Sequence, residues 1–105
     1  MRIAVGSDEA SELTDALVAA LREAGHAVEL HGPLAGGEEE WVDASAAVAR
    51  RVAAGEVERG VVCCWSGTGA SIAANKVPGV RAALCGDAET ARLARKHNHA
   101  SVLAL

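Results

Sequence analysis

A cysteine followed by a glycine-rich turn is the segment of this sequence best suited to chemistry. Cys64 ends an apolar run, and residues 65–70, which follow it, contain two glycines at alternate positions. Such glycines let backbone N–H groups converge on one point, and the start of a helix adds further unpaired N–H groups. A thiol beside this arrangement can act as a base or nucleophile, because a nearby helix N-terminus favours the thiolate.

The same residues also allow purely structural interpretations. Cysteines of this kind are often small buried side chains, and Cys63 should point to the opposite face of its strand, into the core. The Gly67-Thr68-Gly69 turn lacks both the Walker lysine pattern and a complete GxGxxG motif. It can therefore bind an anion or simply connect a strand tightly to a helix.

Four other residues have two interpretations each. Asp8 can bind ligand hydroxyls or cap the first helix, and Asp43 can act in catalysis or cap the second helix. Trp41 is one of only two aromatic residues, which suits the lining of a site or an interface. His97, near a helix end, can interact with the helix dipole or serve as an acid or base near neutral pH.

The composition restricts the class of protein. The chain has 105 residues, half of them apolar, and a formal charge of −4, which argues against a nucleic-acid partner. No apolar run approaches the roughly 20 residues of a membrane span, and a first strand starting at Arg2 leaves no room for a signal peptide. Three cysteines, two of them adjacent, suit a reducing compartment. We expect a cytoplasmic domain without membrane partners and without a metal site.

Apolar runs alternate with helical patterns along the chain. The runs are continuous, as in strands buried on both faces of a parallel sheet, and they predict strands over residues 2–6, 27–30, 60–64, 80–85 and 101–105. Predicted helices follow the first four strands: one from the cap Ser11 to Gly25, one from near Asp43 to Gly55, one over residues 71–76, and one from the cap Asp87 to about His97. This order predicts an α/β fold, a three-layer, Rossmann-like, doubly wound sheet of five parallel strands.

Ligands in such folds bind beyond the carboxyl ends of the strands. Residues 7–9, His31, residues 64–69 and residues 86–87 belong at that edge. His97 and Asn98 precede the fifth strand and therefore belong at the opposite edge, far from Cys64 within one chain. A second subunit could bring them close, and the small, alanine-rich core also favours self-association.

Together these segments resemble the ribose-5-phosphate isomerase B (RpiB/LacA/LacB) family of sugar-phosphate isomerases. The similarity is most specific at residues 71–76, Ser-Ile-Ala-Ala-Asn-Lys, and continues at residues 80–82 and at His97-Asn98. Residues 3–8 are also similar, and the resemblance extends from Arg2 to Leu105. It implies a cofactor-free interconversion of an aldose phosphate and a ketose phosphate, of the ribose 5-phosphate and ribulose 5-phosphate kind, through an enediolate.

The resemblance also implies roles for individual residues. Cys64 corresponds to the base that removes the proton alpha to the carbonyl, His97 to the histidine that opens the sugar ring, and Ser66 to the serine or threonine of the anion hole. The residues implied to bind the substrate are Asp8, Trp41, Asp43, Gly67, Thr68, Gly69, Asn75 and Asn98. The family works as homodimers or homotetramers, in which the histidine reaches the cysteine of another subunit.

The sequence departs from the family pattern at several points. Glu9 stands where the family has histidine, Trp65 where it has the first loop glycine, and Trp41 where it has tyrosine. Family members continue with C-terminal helices whose arginines bind the phosphate, and we expect residues 1–105 to form a single domain that lacks these helices. Trp65 and Glu9 suggest a sugar other than ribose 5-phosphate. The alternatives are a non-catalytic binding or scaffold domain that kept the fold, and a thiol-dependent redox or acyl-transfer enzyme using Cys64.

Overall fold

The computed structural model describes residues 1–105, and its strands and helices alternate along the chain. The strands are β1 (Arg2–Ser7), β2 (Ala27–His31), β3 (Arg59–Cys63), β4 (Ala82–Leu84) and β5 (Val102–Ala104). The helices are α1 (Glu12–Glu23), α2 (Trp41–Ala53), α3 (Thr68–Asn75) and α4 (Ala88–Asn98), with a short 3-10 helix at Gly32–Ala35. No helix is both long enough and apolar enough to span a membrane.

All five strands are parallel and lie in the order β2-β1-β3-β5-β4. The predicted doubly wound sheet is therefore confirmed. β1 and β3 are neighbours, and their register places Ser7 beside Cys63 at the carboxyl ends of the two strands. The residues that follow, Asp8 and Cys64, consequently leave the sheet next to each other.

Helices cover both faces of the sheet, which gives three layers. On one face, α2 and α3 pack over a core that includes Ala4, Val48 and Val62. On the other face, α1 covers a cluster that includes Val5 and Cys63, and α4 covers a cluster around Ala94. Cys63 lies in the α1 cluster whereas Cys64 packs against the opposite core, so the prediction that the two cysteines face opposite ways is confirmed.

Two predicted helix caps are confirmed. The Thr14 N–H donates to Ser11 Oγ at 3.3 Å and the Ser11 N–H donates to Thr14 Oγ1 at 2.8 Å, which completes a capping box at the start of α1. The Thr90 N–H donates to Asp87 Oδ1 at 2.7 Å at the start of α4. Because Ser11 caps α1, the interpretation of Asp8 as its cap is wrong, and the Asp8 carboxylate remains available.

Two predicted helix starts and one strand length are corrected. α2 begins at Trp41 with Glu40 as its N-cap, so Asp43 is not the cap but lies in the first turn, where a carboxylate still interacts favourably with the helix dipole. α3 begins at Thr68, before the predicted start at residue 71. β4 covers only residues 82–84 of the predicted strand over residues 80–85.

Candidate active site

A crevice opens at the carboxyl edge of the sheet, between β1 and β3. α1, which follows β1, packs on one face, whereas α3, which follows β3, packs on the other. The two connections therefore diverge directly after Asp8 and Cys64. Divergence of this kind creates the usual ligand position of doubly wound sheets.

A cleft of about 320 Å³ occupies this crevice, and its lining consists of Asp8, Trp41, Cys64, Trp65, Ser66 and Gly69. Five of these six residues are predicted site residues, so the structure brings that part of the prediction together. The sixth, Trp65, was noted in the sequence only as a departure from a family pattern. Its position directly after Cys64, and its being one of only two aromatic residues, are the signals that could have identified it.

Of the two adjacent cysteines, only Cys64 faces the cleft. Its backbone N–H donates to the Leu105 carbonyl oxygen at 3.1 Å, which fixes the end of β3 against the last residue of the chain. Cys63 is only 4% exposed. Burial, together with the nearby Cys64 and Asp8, raises the pKa of the Cys63 thiol to about 11, so this thiol stays protonated at neutral pH. Thiol chemistry in the cleft therefore belongs to Cys64.

The turn after Cys64 leaves the N-terminus of α3 without a side-chain cap, and Gly69 of its first turn lies in the cleft lining. Gly67 is the N-cap of α3, has a left-handed φ of 75°, and carries no side chain that could cap the helix. The Thr68 N–H donates to Ser66 Oγ at a long 3.4 Å. The other N–H groups of the first turn have no acceptor within the helix, and the helix dipole gives them partial positive charge. This end of α3 can hold a developing oxyanion.

Trp41 forms a wall of the cleft by packing on the α3 backbone. A Cβ atom built on Gly69 would lie 2.9 Å from Cε3 of the Trp41 indole, closer than real contacts allow. Only a glycine at residue 69 therefore lets the indole lie against the backbone. The sequence predicted both Trp41 and Gly69 for the site, but not that the position of the Trp41 indole depends on glycine at residue 69.

Three predicted binding residues lie near the cleft but outside its lining. Thr68 and Gly67 belong to the turn, and Asp43 is exposed in the first turn of α2. Asn75 has a different environment, because both ends of its side-chain amide bond the backbone of Ala82. Nδ2 donates to the Ala82 carbonyl oxygen at 2.9 Å, and Oδ1 accepts from the Ala82 N–H at 2.8 Å. This pair of bonds ties the end of α3 to β4.

His97 and Asn98 lie in the exposed last turn of α4. β5 follows at Val102 and runs parallel to β3, so this turn lies at the edge where the strands begin. Cys64 lies at the edge where β3 ends. Within one chain the structure therefore does not bring His97 and Cys64 together, in agreement with the sequence prediction.

Two other features of the molecule are separate from the cleft. A cavity of about 370 Å³ between α4 and the sheet is lined mainly by apolar side chains, including Ile3, Val61 and Leu103, and by none of the predicted site residues. At the sheet edge, Glu29 accepts bonds from Arg51 Nε and Nη2 at 2.6 and 2.7 Å and contacts His31 Nε2 at 2.7 Å. The Arg51 bonds, with a smaller contribution from His31, lower the pKa of Glu29 to about 2.

No three His, Cys, Asp or Glu side chains are grouped in a way that could hold a metal ion. The candidate site therefore consists of a thiol, a carboxylate, a hydroxyl, two indoles and the N–H groups at the start of α3. These groups can move a proton, accept bonds from hydroxyls and stabilise a negatively charged oxygen.

Residues 3–105 match the sequence model of a family described as Ribose/Galactose Isomerase. The chain is 39% identical to ribose-5-phosphate isomerase B of Mycolicibacterium paratuberculosis, in an alignment that covers 100% of this chain and 67% of that protein. It is 36% identical to D-erythrulose-4-phosphate isomerase of Pectobacterium atrosepticum, with 100% and 70% covered.

Among solved structures, ribose-5-phosphate isomerase B of Clostridium thermocellum superimposes with a TM-score of 0.90 at 42% identity. That superposition covers 100% of this chain and 72% of the other. The chain thus spans about two thirds of the length of these three relatives.

Proposed function

Because the chain belongs to the ribose/galactose isomerase family, we propose that it interconverts an aldose phosphate and a ketose phosphate. The observation that carries this proposal is the cleft in which the accessible Cys64 lies beside the uncapped start of α3. Aldose-ketose isomerisation needs a base for one carbon-bound proton and positive charge for one oxygen. In our proposal the Cys64 thiol supplies the base, and the first-turn N–H groups of α3 supply the positive charge.

In this proposal, the Cys64 thiolate removes the proton from the carbon next to the carbonyl. The electron pair of the broken C–H bond forms the double bond of an enediolate, and the carbonyl oxygen becomes negative. The first-turn N–H groups of α3 and the Ser66 hydroxyl donate to that oxygen; one such donor is worth about 3–4 kcal/mol in enzymes that use it. The hydroxyl proton on the carbon that lost its hydrogen passes to the negative oxygen, with the Ser66 hydroxyl as the relay. The Cys64 thiol returns its proton to the former carbonyl carbon, and the other oxygen of the enediolate becomes the new carbonyl.

The remaining lining residues orient the substrate. The Asp8 carboxylate, which does not cap α1, accepts hydrogen bonds from sugar hydroxyls, and Trp41 forms a wall along the carbon chain. Gly67, Thr68 and Gly69 set the conformation of the anion-holding turn. Since its amide bonds the backbone, Asn75 supports the site through the position of α3.

Ring opening requires an acid, and the lining of the cleft contains no histidine, so we assign this step to His97 of a second chain, with Asn98 beside it. The last turn of α4 carries Arg95, Lys96 and His97, whereas Asp8 is the only charged residue in the lining of the cleft. A basic helix end and a cleft without basic side chains are electrostatically complementary. The proposed active assembly is therefore a homodimer, or a homotetramer built from such dimers.

NMR detection of solvent deuterium entering C2 of sugar phosphates tests the proton transfer directly. We expect exchange with at least one of D-ribose 5-phosphate, D-erythrose 4-phosphate and D-galactose 6-phosphate. Cys64→Ser should slow exchange at least about 100-fold, because a positioned base contributes 10²–10⁴-fold. The matched control is Cys63→Ser, on the opposite strand face, which should keep exchange per folded molecule. Near-normal exchange in Cys64→Ser would exclude Cys64 as the base, and no exchange by the unaltered protein would favour the binding-domain alternative.

Subunit mixing tests the role of His97. Cys64→Ser and His97→Ala should each be impaired with D-ribose 5-phosphate. In an equal mixture, half the dimers are hybrids, and each hybrid has one intact site that combines Cys64 of one subunit with His97 of the other. Mixing should therefore restore activity at about one quarter of all sites. His97→Ala should be affected less with D-erythrose 4-phosphate, whose phosphorylated O4 prevents furanose ring closure. A mixture that exchanges subunits and regains nothing would contradict a shared site.

A further inference from the structure

Both aromatic residues of the chain line the same small cleft. The sequence contains two tryptophans and neither phenylalanine nor tyrosine. Trp41 precedes Cys64 by 23 positions and lies on α2, whereas Trp65 directly follows β3 and Cys64. The fold therefore brings together, from separate segments, all the aromatic surface that this protein has.

The two indoles are held very differently. Trp41 lies against the Gly69 backbone and is 38% exposed, so its position is fixed by packing. Trp65 is 92% exposed, more than any other large hydrophobic residue of the chain. Together with Trp41, the exposed Trp65 indole gives the cleft an apolar aromatic surface, and surfaces of that kind mark binding sites.

We propose that Trp41 and Trp65 form an aromatic clamp on the sugar carbon chain, in which Trp65 closes over the bound substrate and determines which sugars are accepted. This inference rests on the proposed function of the cleft. The C–H face of a sugar chain is apolar and can stack on an indole, while the indole N–H can still donate to a hydroxyl. Trp41 supplies the fixed wall and Trp65 the closing one.

The position of Trp65 explains why it would act on specificity. It is joined to Cys64 by one peptide bond, so a substrate held against its indole has a defined position relative to the base. The indole has no acid or base to contribute to the proton transfer. Contacts with apolar parts of a substrate discriminate by about 10–200-fold per methylene-sized difference, and that is the range in which Trp65 should act.

Intrinsic fluorescence tests the clamp without requiring turnover, because each tryptophan can be observed alone. Trp41→Phe leaves Trp65 as the only strong emitter, and Trp65→Phe leaves Trp41. On titration with D-ribose 5-phosphate or D-erythrose 4-phosphate, we expect Trp65 emission to shift to the blue and to become less accessible to acrylamide, with smaller changes for Trp41. Inorganic phosphate, which has no C–H face, serves as the matched control and should leave Trp65 emission unchanged.

Two outcomes of the fluorescence experiment would overturn the clamp. One is Trp65 emission that no sugar phosphate alters. The other is Trp65 emission that shifts with protein concentration alone, which would show that a second copy of the chain covers the indole. In either case deuterium exchange can still be present, so the clamp would fail while the proposed function stands.

Kinetics test the effect on specificity. Trp65→Gly should change the ratio of kcat/KM values for exchange between four-, five- and six-carbon sugar phosphates by at least about tenfold. Trp65→Phe, which keeps an aromatic face, should restore most of the original ratio. An equal loss for all sugars, or no loss, would overturn the role in specificity. Absence of exchange in the unaltered protein would instead refute the proposed function, and the fluorescence titration would still decide whether the indoles bind sugar phosphates.

Discussion

Alanine substitutions at Gly67 and Gly69, two positions apart in one turn, should affect the protein in different ways. Gly67 has a left-handed backbone and is the N-cap of α3, whereas Gly69 lies inside the first turn of the helix. The two substitutions add the same methyl group. Any difference between them must therefore come from backbone conformation and from what the new methyl group contacts.

Gly67→Ala should lose stability for two reasons. At a φ of 75°, a Cβ atom costs about 1–2 kcal/mol. That atom would also lie 2.5 Å from Leu84 Cδ1 and 2.7 Å from the Leu105 carbonyl carbon. Leu84 is 45% exposed and can rotate away. The Leu105 backbone cannot, because its N–H donates to the Val62 carbonyl oxygen and its own carbonyl oxygen accepts from the Cys64 N–H. Overpacking against a fixed backbone costs about 1–3 kcal/mol, so the total loss should be about 2–5 kcal/mol.

Gly69→Ala should change the site with little effect on the fold. Alanine inside a helix is favoured over glycine by up to about 1 kcal/mol. The new Cβ atom would clash with the Trp41 indole, at 2.9 Å from Cε3, and would displace this partly exposed indole from the Gly69 backbone towards solvent. The free energy of unfolding should therefore stay within about 1 kcal/mol of the original. The emission of Trp41 should change, and the affinity for sugar phosphates should fall.

Urea denaturation, monitored by far-ultraviolet circular dichroism, measures the free energy of unfolding of both variants. The dependence of that free energy on urea concentration shows whether each variant exposes the same surface area on unfolding as the original protein. Tryptophan emission, recorded separately in the absence of urea, reports the cleft wall. A Gly67→Ala protein within about 0.5 kcal/mol of the original would refute the argument from the left-handed turn. A Gly69→Ala protein that loses more than about 2 kcal/mol, or that leaves Trp41 emission unchanged, would refute the account of indole packing.

Two further predictions concern polar groups outside the cleft. Asn75→Ala should lower the free energy of unfolding by about 1–3 kcal/mol, because it leaves both backbone groups of Ala82 without their partner; a loss below about 0.5 kcal/mol in urea denaturation would contradict this. Since the pKa of Glu29 is lowered from 4.5 to about 2 in the folded protein, chiefly by Arg51, its contribution is present above about pH 4.5 and is lost as the pH falls towards 2. Glu29→Gln should remove this part of the loss of stability in acid. The effect should be about 1 kcal/mol or less, because Glu29 and Arg51 are each about one-third exposed. Urea denaturation midpoints of the original protein and the variant, measured across this pH range, test the prediction.

The sheet was predictable because short, mainly apolar runs alternate with helical patterns, although β2 carries Glu29 in its middle. The two confirmed caps have an additional sequence signal, since Ser11 and Asp87 each stand three residues before a threonine whose N–H they accept. The start of α2 was not predictable in the same way. Asp43 is a residue type that caps helices, but a carboxylate is equally favourable inside the first turn, so residue type alone does not separate the two positions.

The start of α3 was misplaced because glycine has two roles in one short segment. Both Gly67 and Gly69 indicate a turn by composition, yet only Gly67 has a left-handed backbone, while Gly69 is helical and is glycine because Trp41 approaches it. That approach joins residues 28 positions apart in the chain, and periodicity contains no information about it. The bonds of Asn75 to the Ala82 backbone were hidden for a similar reason, since an asparagine near a turn is compatible with many partners.

The charges around the cleft constrain the orientation of the proposed substrate. Asp8 is the only charged side chain in the lining, so a phosphate dianion beside it would be repelled and a hydroxyl would be bound. In the proposed reaction, the partial positive charge at the start of α3 stabilises the enediolate oxygen and is therefore not free to bind the phosphate. We therefore infer that the reacting carbons and hydroxyls face the floor of the cleft and the phosphate faces its mouth. At the mouth, the basic last turn of α4 from a second chain can supply the charge that the cleft of one chain lacks.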